Sequence, residues 1–130
     1  MATLNYSSTR KNIDSTLDGV VVVKALELAP IGGCVLDVSD SSYNDIDVLK
    51  AGLLIIKKSN GDYAPMPLSG SSYGSLPASA SYAGILYASV LKSDPICTLV
   101  VRGAINEEAC PYEIPSEAKS ALSLIRFVKE

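Results

Sequence analysis

The apolar residues of this chain come in short bursts, and that spacing constrains the fold more than any single motif. Val20-Val21-Val22-Val23 and Leu53-Leu54-Ile55-Ile56 are compact runs, and Ala83 to Val90 and Ile96 to Ala104 are longer mixed ones. Gly, Pro, Asn, Asp or Ser closes each within a few residues. Such runs, β-branched where they are densest, suit buried strands better than helices, which need roughly ten or more residues. The spacing therefore predicts an α+β, mainly β fold.

The strands can be placed from their punctuation. Val20 to Val23 reads as a buried strand. Val35-Leu36-Asp37-Val38 reads as a second, entered from Pro30 and a Gly32-Gly33 turn. Leu53 to Lys58 and Tyr63 to Leu68 flank Asn60-Gly61, the strongest short-range signal for a hairpin. Pro65 and Pro67 each lack a ladder donor, which puts the second arm of that hairpin at a sheet edge. Ala83 to Val90 and Ile96 to Ala104 are joined by a turn over Lys92-Ser93-Asp94-Pro95. Near the end, Pro115 opens a helix with Ala118, Ala121, Leu122 and Ile125 on one face, and Arg126-Phe127-Val128 follows as a short strand.

Two segments fall outside this grammar. Residues 70–81 are dominated by Ser, Gly, Ala, Tyr and Pro and read as a surface loop. Residues 1–17 are rich in Ser, Thr and Asn, with only Leu4, Tyr6, Ile13 and Leu17 as sparse apolar groups, and read as an extended amino-terminal arm. The rest, 18–130, is expected to be one β-rich domain. With 48% apolar and 19% charged residues, it has enough to build a core.

Charge and length narrow the partners. A formal net charge of −3 provides no basic patch to neutralise phosphates, so proteins are expected as partners and direct nucleic-acid binding is not. The apolar runs fall well short of the ~20 residues of a membrane-spanning helix. The first eleven residues lack the apolar stretch of a secretory signal, which leads to an expectation of synthesis in a reducing compartment. Cys34, Cys97 and Cys110 are odd in number and widely spaced, so three reduced, buried thiols are expected.

Several motifs suggest chemistry, and each lacks its context. Gly70-Ser71-Ser72-Tyr73-Gly74 matches the G-x-S-x-G elbow, yet the chain has no histidine to act as base. Ser116-Glu117-Ala118-Lys119 matches S-x-x-K without its companion motifs, and a helix start explains it. Asp37, Asp40, Asn44, Asp45 and Asp47 could supply oxygen ligands, but their spacing is not that of an EF-hand loop, and Asp and Asn favour turns on their own account. No cysteine spacing suits zinc. With fourteen acidic residues, paired carboxylates remain open as a catalytic device, with Asp62 and Glu107 as the positions to test. The expectation from these residues is a non-enzyme with no cofactor and no metal.

The order of several short segments adds a resemblance. Leu49-Lys50-Ala51-Gly52-Leu53-Leu54 is followed by Asn60-Gly61-Asp62-Tyr63-Ala64-Pro65-Met66-Pro67 and Tyr82-Ala83-Gly84-Ile85-Leu86. Val100-Val101-Arg102-Gly103-Ala104-Ile105-Asn106-Glu107, a short helix and Ile125-Arg126-Phe127 complete the series. Over residues 46–128 this resembles the head decoration, head fiber or auxiliary capsid proteins of tailed bacteriophages, of the type found in phages of Bacteroides-like hosts.

The resemblance implies a small β-barrel-like or β-tulip domain with one carboxy-terminal helix, sitting on the outer capsid surface of a virion made in the host cytoplasm. Its partner would be the major capsid protein, whose subunit contacts it would reinforce, and it would form a homo-oligomer, with a trimer favoured. The arm would order on the capsid, with Leu4, Tyr6, Ile13 and Leu17 as sparse anchors and Arg10 and Lys11 as paired positive charges. Independently of the resemblance, the 70–81 loop is a candidate contact with neighbouring subunits through Tyr73 and Tyr82, since tyrosine offers large area with few rotors and a polar tip. A capsid-anchoring fiber or receptor-binding component is the nearest alternative, and a small carboxylate-dependent enzyme is the alternative from another class.

Overall fold

The structure, a computed structural model, describes residues 18–129. A one-turn helix α1 (Asp18–Val21) runs into the long strand β1 (Val22–Val35), followed by a 3-10 turn (Ser41–Tyr43) and β2 (Val48–Leu49). Next come β3 (Leu54–Lys57), β4 (Tyr63–Pro65), β5 (Leu68–Ser69), β6 (Ser72–Tyr73), β7 (Ser81–Leu86) and β8 (Val90–Leu91). The chain continues through β9 (Ile96–Asn106), a 3-10 turn (Glu107–Ala109), α2 (Ser116–Ala121) and β10 (Ile125–Val128).

The main sheet has the order β1-β9-β7-β3-β4, and β10 pairs in parallel with β9. The two flanks of β9 are used differently. β1 runs antiparallel along most of its length, while β7 takes Leu99 and Val100 and β10 takes Gly103 to Asn106. β1 and β4 end the strand order, so the sheet is open and does not close into the barrel-like form that the resemblance implies. The mainly β character and the helix near the carboxy terminus are as the sequence predicts.

The apolar runs are explained by burial on both faces. Along β3, Leu54 and Ile56 face one core and Ile55 the other. Ile85 and Leu86 divide in the same way on β7, as do Val100 and Leu99 on β9. Ile114, Ala118, Leu122 and Ile125 cover the first face, while Leu36, Tyr43 and Leu49 cover the second. A strand covered on one face only would alternate apolar with polar residues; these do not, because water is excluded from both sides. The second core also holds a buried polar group: the Tyr43 hydroxyl donates to the Met66 carbonyl at 2.5 Å, which offsets the cost of taking both out of water.

The Asn60-Gly61 hairpin forms between β3 and β4. The Gly61 N–H reaches the Lys58 carbonyl at 2.9 Å and Gly61 has φ +93°, so the loop is three residues long with glycine in the left-handed position. β4 is a terminal strand, as Pro65 demands.

Other expectations need correction. Val20 to Val23 is not one buried strand: the first two residues belong to α1, only Val21 is buried, and Val20 and Val23 are exposed. The Pro30 to Gly33 stretch does not separate two strands, because β1 continues through it to Val35, and its pairing with β9 skips from Ala29 to Cys34. Pairing resumes at Cys34 and Val35, so both sides of the stretch are held to the same partner strand. α2 is shorter than its apolar pattern suggests: Ala121 is exposed, and Ile125 belongs to β10. Residues 70–81 are partly ordered, since β5 and β6 form a tight hairpin with Ser69 opposite Ser72. Gly70 has φ +67° and Ser71 has no positive φ, the signature of a type II′ turn.

One glycine sets how closely β1 approaches β9. At Gly103, φ is +153°, and a β-carbon would lie 2.1 Å from the Lys24 carbonyl oxygen. Gly103→Ala should therefore destabilise the protein by about 2–3 kcal/mol, from overpacking and backbone strain together. Chemical denaturation checks this. An unchanged midpoint would mean that the two strands can separate at this point without cost.

Candidate interaction surface

Large apolar side chains that folding leaves exposed are unevenly distributed. Val20, Val23, Leu26, Leu28 and Val35 lie on α1 and β1, and Ile96 is the direct partner of Val35 across the β1–β9 ladder. Five of the six sit on the terminal strand and the helix that leads into it, and the sixth on the adjoining end of β9. Tyr87 and Leu124 are the other exposed large apolar residues among those described. Leu26 is 58% exposed and Val35 64%, values that a satisfied core strand does not show. Exposed large apolar side chains gathered on one strand make it the candidate contact surface.

The same strand is guarded against uncontrolled ladder growth. Its register with β9 is irregular at four places, and Pro30 contributes no donor. Lys24 and Glu27 pair with Ala104 and Arg102, two residues apart on β9, so the two charges lie on one face of the strand. Bulges, proline and charge discourage backbone addition along an edge, while the apolar side chains remain available.

The predicted contact residues fall into three groups. Leu4, Tyr6, Arg10, Lys11, Ile13 and Leu17 lie outside the described residues. Tyr82 lies in β7, partly buried against the first core. Tyr73 is engaged within the fold: the Leu54 N–H donates to its hydroxyl at 2.9 Å, and its ring meets Tyr112 edge-on at 5.3 Å. Burial pushes the Tyr73 phenol well above its ordinary range. Alanine at Tyr73 would therefore disturb the core as well as any subunit contact.

The motif residues have structural partners. Ser72 lies in β6, and its hydroxyl donates to the Ser69 carbonyl at 3.3 Å, in a hairpin rather than a strand-to-helix elbow. Lys119, the lysine of S-x-x-K, pairs with Glu107 at 2.6 Å, and Lys129 approaches the same carboxylate at 3.5 Å. The Lys119 hydrogen bond, helped by both lysine charges, holds the Glu107 carboxyl below its usual range, the opposite of what a general acid needs. Asp62 is exposed and accepts from the Asn60 side-chain amide at 3.3 Å, within the hairpin loop. No three metal-binding side chains cluster among the described residues.

The acidic stretch after β1 works as turn chemistry. Asp40 caps the first 3-10 turn, accepting from the Ser42 N–H at 2.9 Å and from the Ser42 hydroxyl at 2.7 Å. Asp37 pairs with Lys58 of the hairpin at 2.6 Å. Sequence reasoning missed the exposed apolar residues of β1 because a run of valines signals burial whether its strand is central or terminal. The alternation of charge and leucine in Lys24-Ala25-Leu26-Glu27-Leu28 was the available signal. Compared with family models, curated proteins and solved structures, the chain finds no match in any of the three.

The Asp37–Lys58 pair yields a pH prediction. Hydrogen bonding from Lys58, then from Ser39, lowers the Asp37 carboxyl from its model-compound value of 3.8 to about 2. Its contribution to stability is complete above the unfolded-state value and disappears as pH falls through about 2. Asp37→Asn should lower stability at neutral pH and flatten the acid limb between those two values. Denaturation midpoints measured across that window check it, and parallel curves for variant and parent would contradict it.

Proposed function

We propose that this chain is a structural virion protein that binds the outer surface of a tailed-phage capsid and reinforces contacts between major capsid subunits. The exposed large apolar side chains on β1, in a chain of net negative charge, are the observation that carries the reading. A binding protein needs a stable frame and a contact surface, and the division of this fold supports that reading. The core lies in the middle strands, and the exposed apolar residues gather along a terminal one.

The segments behind the resemblance also fall where structural duties are expected. Lys50-Ala51-Gly52-Leu53-Leu54 leads into β3, Tyr82 to Leu86 is most of β7, and Val100 to Asn106 is the latter part of β9. Those three strands are the neighbours that build the double-faced core. The chemistry of the proposed role is correspondingly plain. Affinity comes from apolar area on β1, and repetition of sites on a lattice multiplies a modest contact into stable occupancy. Copies joined as a homo-oligomer, a trimer in the resemblance, would gain further from that repetition. Net negative charge suits the outside of a shell, away from packaged nucleic acid.

Leu26→Asp and Val35→Asp should each leave the thermal melt within a few degrees of the parent, because both side chains are already exposed. Both should reduce co-sedimentation with phage heads lacking their own decoration protein by at least about tenfold, the effect of losing ~1.4 kcal/mol per contact. Heads that take up both variants as fully as the parent would refute the β1 surface as the capsid contact.

A further inference from the structure

We infer that Cys34 and Cys97 form a latent cross-strand disulfide site that fastens the far end of β1 to β9. The two residues are direct partners in the antiparallel ladder, and their Sγ atoms stand 4.0 Å apart with both thiols free. Opposed residues in such a ladder have Cα atoms ~4.5–5.5 Å apart, inside the span that a disulfide bridges. Closing the gap to the ~2.05 Å of an S–S bond calls on rotation of the two side chains.

Two further features prepare the site. Gly33, beside Cys34, has φ +82°, and a β-carbon there would stand 2.9 Å from the Cys97 carbonyl oxygen, so glycine permits the close approach of the two backbones. A shallow cleft lined by Gly33, Val90, Ile96 and Cys97 lies beside the pair. Cys110 is not part of this arrangement: its Sγ contacts the Asn106 carbonyl at 3.5 Å, and it packs on the other core. The chain thus carries its own control thiol.

Burial, with Cys34 close by, pushes the Cys97 thiol up to about 12, and burial raises Cys34 as well. Both thiols are therefore protonated at neutral pH, and the pair closes slowly, only where an oxidant is supplied. With glutathione disulfide as oxidant, the half-buried Cys34 attacks first, as its thiolate. A mixed disulfide forms and one glutathione leaves as thiolate, taking up a proton. Cys97, losing its proton to water in the cleft, then attacks the Cys34 sulfur and expels the second glutathione. Two protein thiols are oxidised and one glutathione disulfide is reduced to two thiols.

The bond would act at the end of β1, beyond the register shift between Ala29 and Cys34 and next to the exposed pair Val35 and Ile96. If the protein decorates a virion, which rests on the reading above, the lock would close when particles leave a reducing cytoplasm.

The test uses the purified full chain, with glutathione disulfide as oxidant and no phage heads, so its outcome does not depend on the virion role. Thiol counts, peptide mapping without reduction and thermal melts are the readouts. Two of the three thiols should be lost, with a mass decrease of two hydrogens per chain and a link between Cys34 and Cys97 inside one molecule. The melt should move upward and return to its starting point with dithiothreitol. Cys110→Ser should behave as the parent, while Cys34→Ser, which changes the more accessible partner, should abolish both the link and the shift. Glutathione adducts without the link, disulfide-linked dimers, or three thiols still free after exposure would overturn the inference.

Discussion

The structure depends on water being excluded from both faces of β3, β7 and β9. Leu54, Ile56, Ile85 and Val100 face one core, and Ile55, Leu86 and Leu99 face the other; none is more than 1% exposed. Each such side chain adds roughly 1.5–3 kcal/mol of transfer free energy, so these three short strands hold much of the driving force. Everything outside them is arranged to supply covers. α2 and β10 close one side, and the segment from Leu36 to Leu49 closes the other.

Because the middle of the sheet consumes the available covering elements, its ends are left less protected. β4 is short and carries proline, which suits an edge. β1 is long and is held mainly by β9, and its outward side chains find no cover among the described residues. The proposed placement of binding on this strand draws on that division, since its exposed side chains are not part of either core. The same long ladder with β9 brings Cys34 and Cys97 together.

Sequence and structure agree best where the signal is local. Asn60-Gly61 closes a hairpin, Pro65 lies on a terminal strand, and Ile96 onward forms a strand that runs on to Asn106. Turn chemistry and donor loss act within a few residues, so they can be read along the chain. Disagreement concentrates at β1 and at residues 70–81. Gly32-Gly33 resembles a turn, yet pairing with β9 on either side of it keeps β1 one strand, and Gly70-Ser71 makes a two-residue turn inside a stretch whose composition suggests only a loop. Tyr73, read as an exposed anchor, spends its hydroxyl on the Leu54 backbone, a partner that composition cannot reveal.

What the sequence determined by itself was the alphabet of the fold: short strands, their punctuation, a helix near the end and a core large enough for one domain. Period and turn chemistry are properties of neighbouring residues, so they survive without coordinates. Only the tertiary structure decided which strand is central and which terminal, which apolar runs are covered, and that Cys34 and Cys97, 63 positions apart, are partners. Those outcomes depend on register between distant segments. Register is set by which faces can be buried together, and no short window of sequence contains both sides of that contact.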